Sequence, residues 1–202
     1  MTELTNKAHK VWRDWLPTFV LLLLMLVARS TLADHYLVPT GSMENTLLPG
    51  DHVLVNKAAY GLRLPFSTRV LIEGDTPTAG DVVIFDAPQD GTRLVKRVVA
   101  VAGDHVELHA GRLWINGQLL NPDPVSNLEP IGQKTAELNL SSGGGPEIHG
   151  LVVPAGEVLV LGDHRGNSRD GRYFGTIPVA SLYGRASAVF WRGKGGPTWK
   201  KL

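Results

Sequence analysis

The sequence predicts a mainly β protein: a single N-terminal transmembrane helix followed by an antiparallel β-sheet domain with a loop-rich insertion. Three observations predict it. The stretch Trp15 to Ala28 is almost purely apolar, and no later stretch is apolar long enough to span a bilayer. From Leu37 onward, short runs of β-branched and aliphatic residues alternate with Gly, Pro and Asn turn signals. No long helical period recurs after the apolar run.

The N-terminus divides into a cytoplasmic segment, 1–14, and an anchor, 15–33, ahead of an exported domain, 34–202. A spanning helix needs about 20 residues at ~1.5 Å each to cross ~30 Å of hydrocarbon. The uninterrupted run is shorter, but "RSTLA" extends it if Arg29 snorkels to the headgroups. Lys7, Lys10 and Arg13 precede the run, and the positive-inside rule holds them in the cytoplasm. The competing reading is a cleaved leader, cut after "TLA" before Asp34. Thr31 is larger than the residue such a cut prefers, and Arg29 lies close to it.

Strands are expected in order. "DHVLVNK" (51–57) follows the turn Pro49-Gly50, and "DVVIFDA" (81–87) follows Gly80. "TRLVKRVVAVA" (92–102) is the longest. "HVELH", "RLWIN" and "QLL" follow, separated by Ala110-Gly111 and Asn116-Gly117; Asn-Gly suits a type I′ hairpin turn, with positive φ at both positions. Residues 121–150, rich in Pro, Gly and Ser, read as a partly irregular insertion. "GLVVPAGEVLVLGD" returns to strand, and "GRASAVFW" (184–191) is the last clear one. The tail "RGKGGPTWKKL" reads as a flexible or surface-lying end.

Composition narrows the chemistry. The net charge of +1 over 202 residues argues against a nucleic-acid partner. Cysteine is absent, which excludes a thiol nucleophile, thiolate metal ligands and disulfides. Beyond the N-terminal segment, the histidines His35, His52, His105, His109, His149 and His164 are scattered. His105 and His109 share a strand face but lie too far apart for an easy two-ligand site, so no metal and no cofactor are expected.

The longest strand holds a cation on each face. Strict alternation gives one face Leu94, Lys96, Val98 and Ala100, and the other Val95, Arg97, Val99 and Val101. Both faces are otherwise apolar, which marks a central strand. A buried charge must be paired or lost. Arginine keeps its charge, so Arg97 needs a carboxylate or the surface. Lysine can lose its charge, because burial lowers its pKa by up to ~3–5 units. A neutral lysine beside a hydroxyl is a general base. A strand lysine can equally lie at an edge or snorkel outward.

Ser42, in "VPTGSMENTLLPGD", supplies a hydroxyl just beyond the apolar run, although Gly-Ser alone also fits a turn. The ordered blocks are "TGSMENTLLPGD", "KAAYGLRLPFS", "GDVVIF", "RLVKRVVAVAGD", "GDHRGNSRDGRYFG" and "GRASAVFW". Together they resemble type I signal peptidases, the bacterial membrane-bound Ser/Lys leader peptidases, from Arg29 to Trp191.

The resemblance implies Ser42 as nucleophile and Lys96 as general base. It implies Ser168 as a hydroxyl that orients the lysine, and Thr40 as a second oxyanion donor beside the Ser42 N–H. Asp170 and Arg172 would support the site. The late block departs from the family pattern: His164 stands for an Asn, Gly166 for an Asp and Gly171 for a Ser. Glu44 stands where an uncharged residue is more usual. An extended substrate would add as a strand along Tyr36, Val38, Pro39 and Gly41 to Met43, and along Arg93, Leu94 and Val95. Met43, Leu47 and Leu48 could rest on lipid, or else be core. The implied partners are preprotein signal peptides, the bilayer and, transiently, the secretion machinery. The implied location is the bacterial cytoplasmic membrane, with the catalytic domain outside. Two alternatives stand beside this reading: a specialised conjugative-transfer or pilin maturation peptidase, and an inactive membrane-tethered binding module.

Overall fold

The computed structural model describes residues 2–63 and 70–202. It opens with α1 (Thr2–Thr31), which contains Pro17. Large apolar side chains between Trp12 and Leu26, among them Phe19, Leu23 and Met25, stand exposed. Among the described residues, no helix is long and apolar enough to cross a membrane.

The rest is mainly antiparallel β. The strands are β1 (Ala33–Leu37), β2 (His52–Asn56), β3 (Gly61–Arg63), β4 (Val70–Glu73), β5 (Val82–Asp86) and β6 (Arg93–Val101). Then come β7 (His105–His109), β8 (Arg112–Ile115), β9 (Gln118–Leu119), β10 (Leu128–Ile131), β11 (Lys134–Glu137) and β12 (Ile148–Val152). The last are β13 (Glu157–Leu161), β14 (Ile177–Pro178), β15 (Leu182–Arg192) and β16 (Gly196–Lys201), with the short helix α2 (Gly171–Phe174) between β13 and β14. The main sheet has eight strands in the order β1-β2-β15-β5-β6-β13-β14, with β16 also on β15. A second sheet runs β12-β7-β8-β9, and β10-β11 and β3-β4 form separate pairs.

Local rules account for much of this. Asn116 (φ 53°) and Gly117 (φ 77°) both sit in the left-handed region, and the β8–β9 turn is built on them. β7 alternates buried and open residues, with Val106 and Leu108 inward. Those two join Val99, Ala100, Leu113, Ile131, Leu138, Leu159 and Leu161 in one core cluster between the sheets.

Two expectations meet a different outcome, and a third, left open between two alternatives, is decided. The tail is a strand: eleven-residue β15 pairs with β5 only over its first residues, and β16 pairs with Ala188 to Arg192 beyond them. Backbone groups that β5 leaves open are thereby bonded. Strict alternation fails late in β6, where the register against β13 slips between Leu159 and Val160. Val99 and Ala100 then enter the same core cluster, while Val98 joins another. The third concerns lipid contact. Met43 and Leu47 are fully buried in a core cluster with Val38, Val53 and Val95, so packing and not a bilayer covers them. Residues 121–150 contain the β10–β11 pair amid loops, and Ile131, Ala136 and Leu138 from it are core.

Candidate active site

β6 is the centre of the site. It lies inside the main sheet, and its Lys96 and Arg97 are both buried, at 2% and 3% exposure. Their solutions differ. Arg97 grips Asp163 with two parallel bonds, Nε to Oδ1 at 2.9 Å and Nη2 to Oδ2 at 2.7 Å. Thr46 Oγ1 also donates to Asp163 Oδ2, at 2.6 Å, and Arg97 Nη1 donates to the Gly80 carbonyl. The arginine thus keeps its charge inside a satisfied network.

Lys96 has no bonded carboxylate. Its Nζ lies 2.6 Å from Ser42 Oγ and donates to the Val95 carbonyl at 3.0 Å. Burial pulls its pKa down to about 8, against the attraction of Asp170 and Asp163 and with help from Arg172.

Ser42 reaches this lysine through a single 3-10 turn, Gly41–Met43. The turn is pinned from below by Met43 and Leu47, whose side chains fill the core. It is pinned from above by the loop after β13. The His164 N–H donates to the Ser42 carbonyl at 3.1 Å. His164 Nδ1 lies 3.2 Å from the Gly41 carbonyl and 3.1 Å from Glu44 Oε2, and its Nε2 lies 3.1 Å from Ser142 Oγ. Gly162 packs where no side chain fits: a Cβ there would come within 2.2 Å of Ser168 Oγ and 2.5 Å of the Ser42 carbonyl oxygen.

A buried ion pair shapes the same loop. Asp170 caps α2 and receives Arg172 Nε at 2.7 Å and Nη2 at 2.8 Å. Its Oδ2 also accepts the Gly162 N–H at 2.9 Å, and Arg172 Nη1 donates to the Gly144 carbonyl at 2.7 Å. The fixed loop carries Asp163, His164 and Ser168 to the Gly41–Met43 turn.

A polypeptide whose pattern matches that of the family described as signal peptidase, peptidase S26, over residues 12–191 has most of its length accounted for. The chain belongs to that family. It is 36% identical over 199 residues to signal peptidase I of Pseudomonas fluorescens, covering 85% of this chain and 69% of the relative. It is 35% identical over 198 residues to signal peptidase I of Pseudomonas aeruginosa, with the same coverage. A solved signal peptidase I from Enterococcus faecalis is 31% identical and covers 56% of this chain and 98% of its own, with a TM-score of 0.40.

Within this signal peptidase family member, the residues singled out from sequence fall into three groups. Ser42, Lys96, Thr40 and Ser168 converge. Thr40 Oγ1 lies 3.5 Å from Ser42 Oγ, and Thr40 is exposed. Ser168 Oγ is buried against Gly162 and makes no hydrogen bond; the bonds that hold Lys96 come from Ser42 and Val95. Asp170 and Arg172 support the loop, and their hydrogen bonds go to neither Ser42 nor Lys96.

The expected substrate residues divide. Tyr36 donates its hydroxyl to the Arg93 carbonyl at 3.1 Å, which brings the two expected edges together. β13 pairs with β6 only from Arg97 onward, so among the described residues Arg93 to Lys96 have a strand partner on the β5 side alone. Pro39 is exposed, Leu94 and Gly41 half-buried. The side chains of Val38, Met43 and Val95 are core, at 1%, 0% and 3% exposure, and present no surface to a peptide. Sequence reasoning overlooked Gly162, Asp163 and the His164–Glu44 contact. Gly162 and Asp163 were signalled only by their place in "GDHRGNSRDGR", a polar block beside a strand end, and His164 and Glu44 only as departures from the family pattern.

Proposed function

We propose that this chain is a serine endopeptidase that removes signal peptides from exported precursors, with Ser42 as nucleophile and Lys96 as general base. The observation that carries this reading is the 2.6 Å approach of Lys96 Nζ to Ser42 Oγ, both buried, with the lysine pKa drawn to about 8. Neutral Lys96 accepts the Ser42 proton as Oγ attacks the scissile carbonyl. The Ser42 N–H and the Thr40 hydroxyl receive the oxyanion. The new ammonium protonates the leaving amine, and the neutral lysine then activates water to free the acyl-enzyme.

The substrate docks as an extended strand on the open half of β6, between it and the Pro39–Gly41 segment. Small residues before the cut fit the family. α1 is the membrane anchor in this reading: its apolar side chains from Trp15 to Leu26 are exposed and unclaimed by the β domain. That stretch of α1, apolar on every face, suits lipid. Lys7, Lys10 and Arg13 then face the cytoplasm, and residues 34–202 face outward.

The deciding experiment offers a secretory precursor to the detergent-solubilised chain and to Ser42→Ala and Lys96→Ala. Wild type cleaves and both variants do not; cleavage by either at the wild-type rate would overturn the assignment. A panel of unrelated precursors separates a general from a specialised peptidase, since the latter would leave most uncut.

A further inference from the structure

The outer face of the second sheet gathers four side chains that proteolysis does not use. In β7, Val106 and Leu108 point to the core, so Glu107 and His109 point out. Ile148 of β12 pairs with Leu108 and is buried with it. Its neighbours Glu147 and His149 therefore share the outer face with Glu107 and His109. All four are open to solvent.

The contacts among them are specific. His109 Nδ1 lies 3.4 Å from Glu147 Oε2, and His149 Nε2 lies 3.7 Å from the same oxygen. One ligand atom from each of His109, Glu147 and His149 lies within 4.8 Å of the others. The other nitrogen of His109, Nε2, lies 3.1 Å from Glu107 Oε2. A tetrahedral Zn²⁺ with bonds of about 2.0–2.1 Å sets its ligand atoms roughly 3.4 Å apart. Two of the three spacings thus stand within a few tenths of an ångström of that edge. His149, with 73% of its side chain exposed, has room to swing inward. Glu107 holds the far nitrogen of His109, as an outer carboxylate does for a metal-bound imidazole.

We infer that His109, Glu147 and His149 form a site for a divalent transition metal, zinc by preference, with Glu107 orienting His109 and the fourth position open to solvent. Two imidazoles and one carboxylate select Zn²⁺ over Ca²⁺ and Mg²⁺, which favour all-oxygen shells. The metal would tie edge strand β12 to β7 just before the register slip that follows Ile148, where Gly150 adopts φ 66°. This site stands apart from the Ser42–Lys96 pair, and its fate does not depend on the peptidase reading.

The test is zinc titration of the full chain in detergent, made without a histidine tag and stripped with chelator, read by calorimetry and by competition with a chromophoric indicator. One Zn²⁺ per chain is expected, with a Kd below about 10 μM, undisturbed by millimolar Ca²⁺ or Mg²⁺. His149→Ala and Glu147→Gln should each weaken binding at least ~10-fold, and Glu107→Gln should weaken it ~10–100-fold while keeping the stoichiometry. His105→Ala, on the same face of β7, should bind as wild type. These residues are exposed, so circular dichroism should show every variant folded. Absence of zinc uptake, or uptake that survives His109→Ala combined with His149→Ala, would overturn the site.

Discussion

Lys96 offers the sharpest quantitative prediction, because one property of it controls both rate and stability. Burial moves its pKa from 10.5 to about 8. At pH 7 an unshifted lysine is free base in about one molecule in 3,000, whereas a group at about 8 is free base in roughly one in eleven. The shift therefore raises the competent fraction some ~300-fold. The kcat/KM of the free enzyme should climb about tenfold per pH unit below pH 7, reach half its maximum near pH 8 and level off above ~9. The assay is initial-rate cleavage of a peptide with small residues before the cut, in detergent, at saturating buffer and constant ionic strength. The same shift bears on folding. The unfolded chain holds the extra proton between about pH 8 and 10.5, so this group's contribution to stability rises with pH across that window. Below about pH 8 it is a constant penalty of ~3 kcal/mol. Lys96→Met removes the penalty and loses the bonds to Ser42 and Val95, each worth about 1 kcal/mol. The inactive variant should be about 1–2 kcal/mol more stable than wild type at pH 7 in denaturant titrations, and that advantage should vanish by pH 10.5. A rate midpoint at or above pH 10, or a Lys96→Met variant less stable at pH 7, would refute the buried-base argument.

Thr40→Val should lower kcat by ~10²-fold or more with KM little changed, while Thr40→Ser keeps most of the rate, since in the proposed mechanism the hydroxyl and not the methyl serves the oxyanion. Gly162→Ala puts a Cβ 2.5 Å from the Ser42 carbonyl oxygen, a backbone atom that must give way. Its kcat should fall ~10²-fold or more, with about 1–3 kcal/mol lost in denaturant titration. Asp170→Ala leaves the Arg172 guanidinium buried and unpaired, at 0% side-chain exposure, and should cost about 3–5 kcal/mol in the same titration.

What the sequence disclosed depended on the range of the interaction. Strand alternation and the Asn116-Gly117 turn are local rules, so β2, β5 to β9, β13 and β15 stand close to where periodicity puts them, whereas the β3–β4 pair went unread. The two cations of β6 were also legible, because a charge on each face of an apolar strand is a local contradiction. Long-range events were hidden. The slip that moves Ala100 to its neighbour's face arises from the ladder with β13, some sixty residues on. The β16 strand exists because β15 outruns β5, which no property of "RGKGGPTWKKL" announces. Val38 and Met43 flank an exposed-looking turn, yet the fold rolls them into the core. The His109–His149 contact is invisible to spacing along one strand, since β12 supplies half of it.

The neighbouring arginines explain how a lysine so close to two acids keeps a lowered pKa. Asp163 and Asp170 both act to raise the Lys96 pKa. Yet each is held by two parallel bonds to an arginine, Asp163 by Arg97 and Asp170 by Arg172. Their lone pairs are further engaged by Thr46 and by the Gly162 N–H. Neither carboxylate bonds to the ammonium, so desolvation dominates and the lysine is left with a hydroxyl and a carbonyl. Adjacent cations on β6 are thus complementary: Arg97 and its counterpart Arg172 engage the acids, and that leaves Lys96 free to give up its proton beside Ser42.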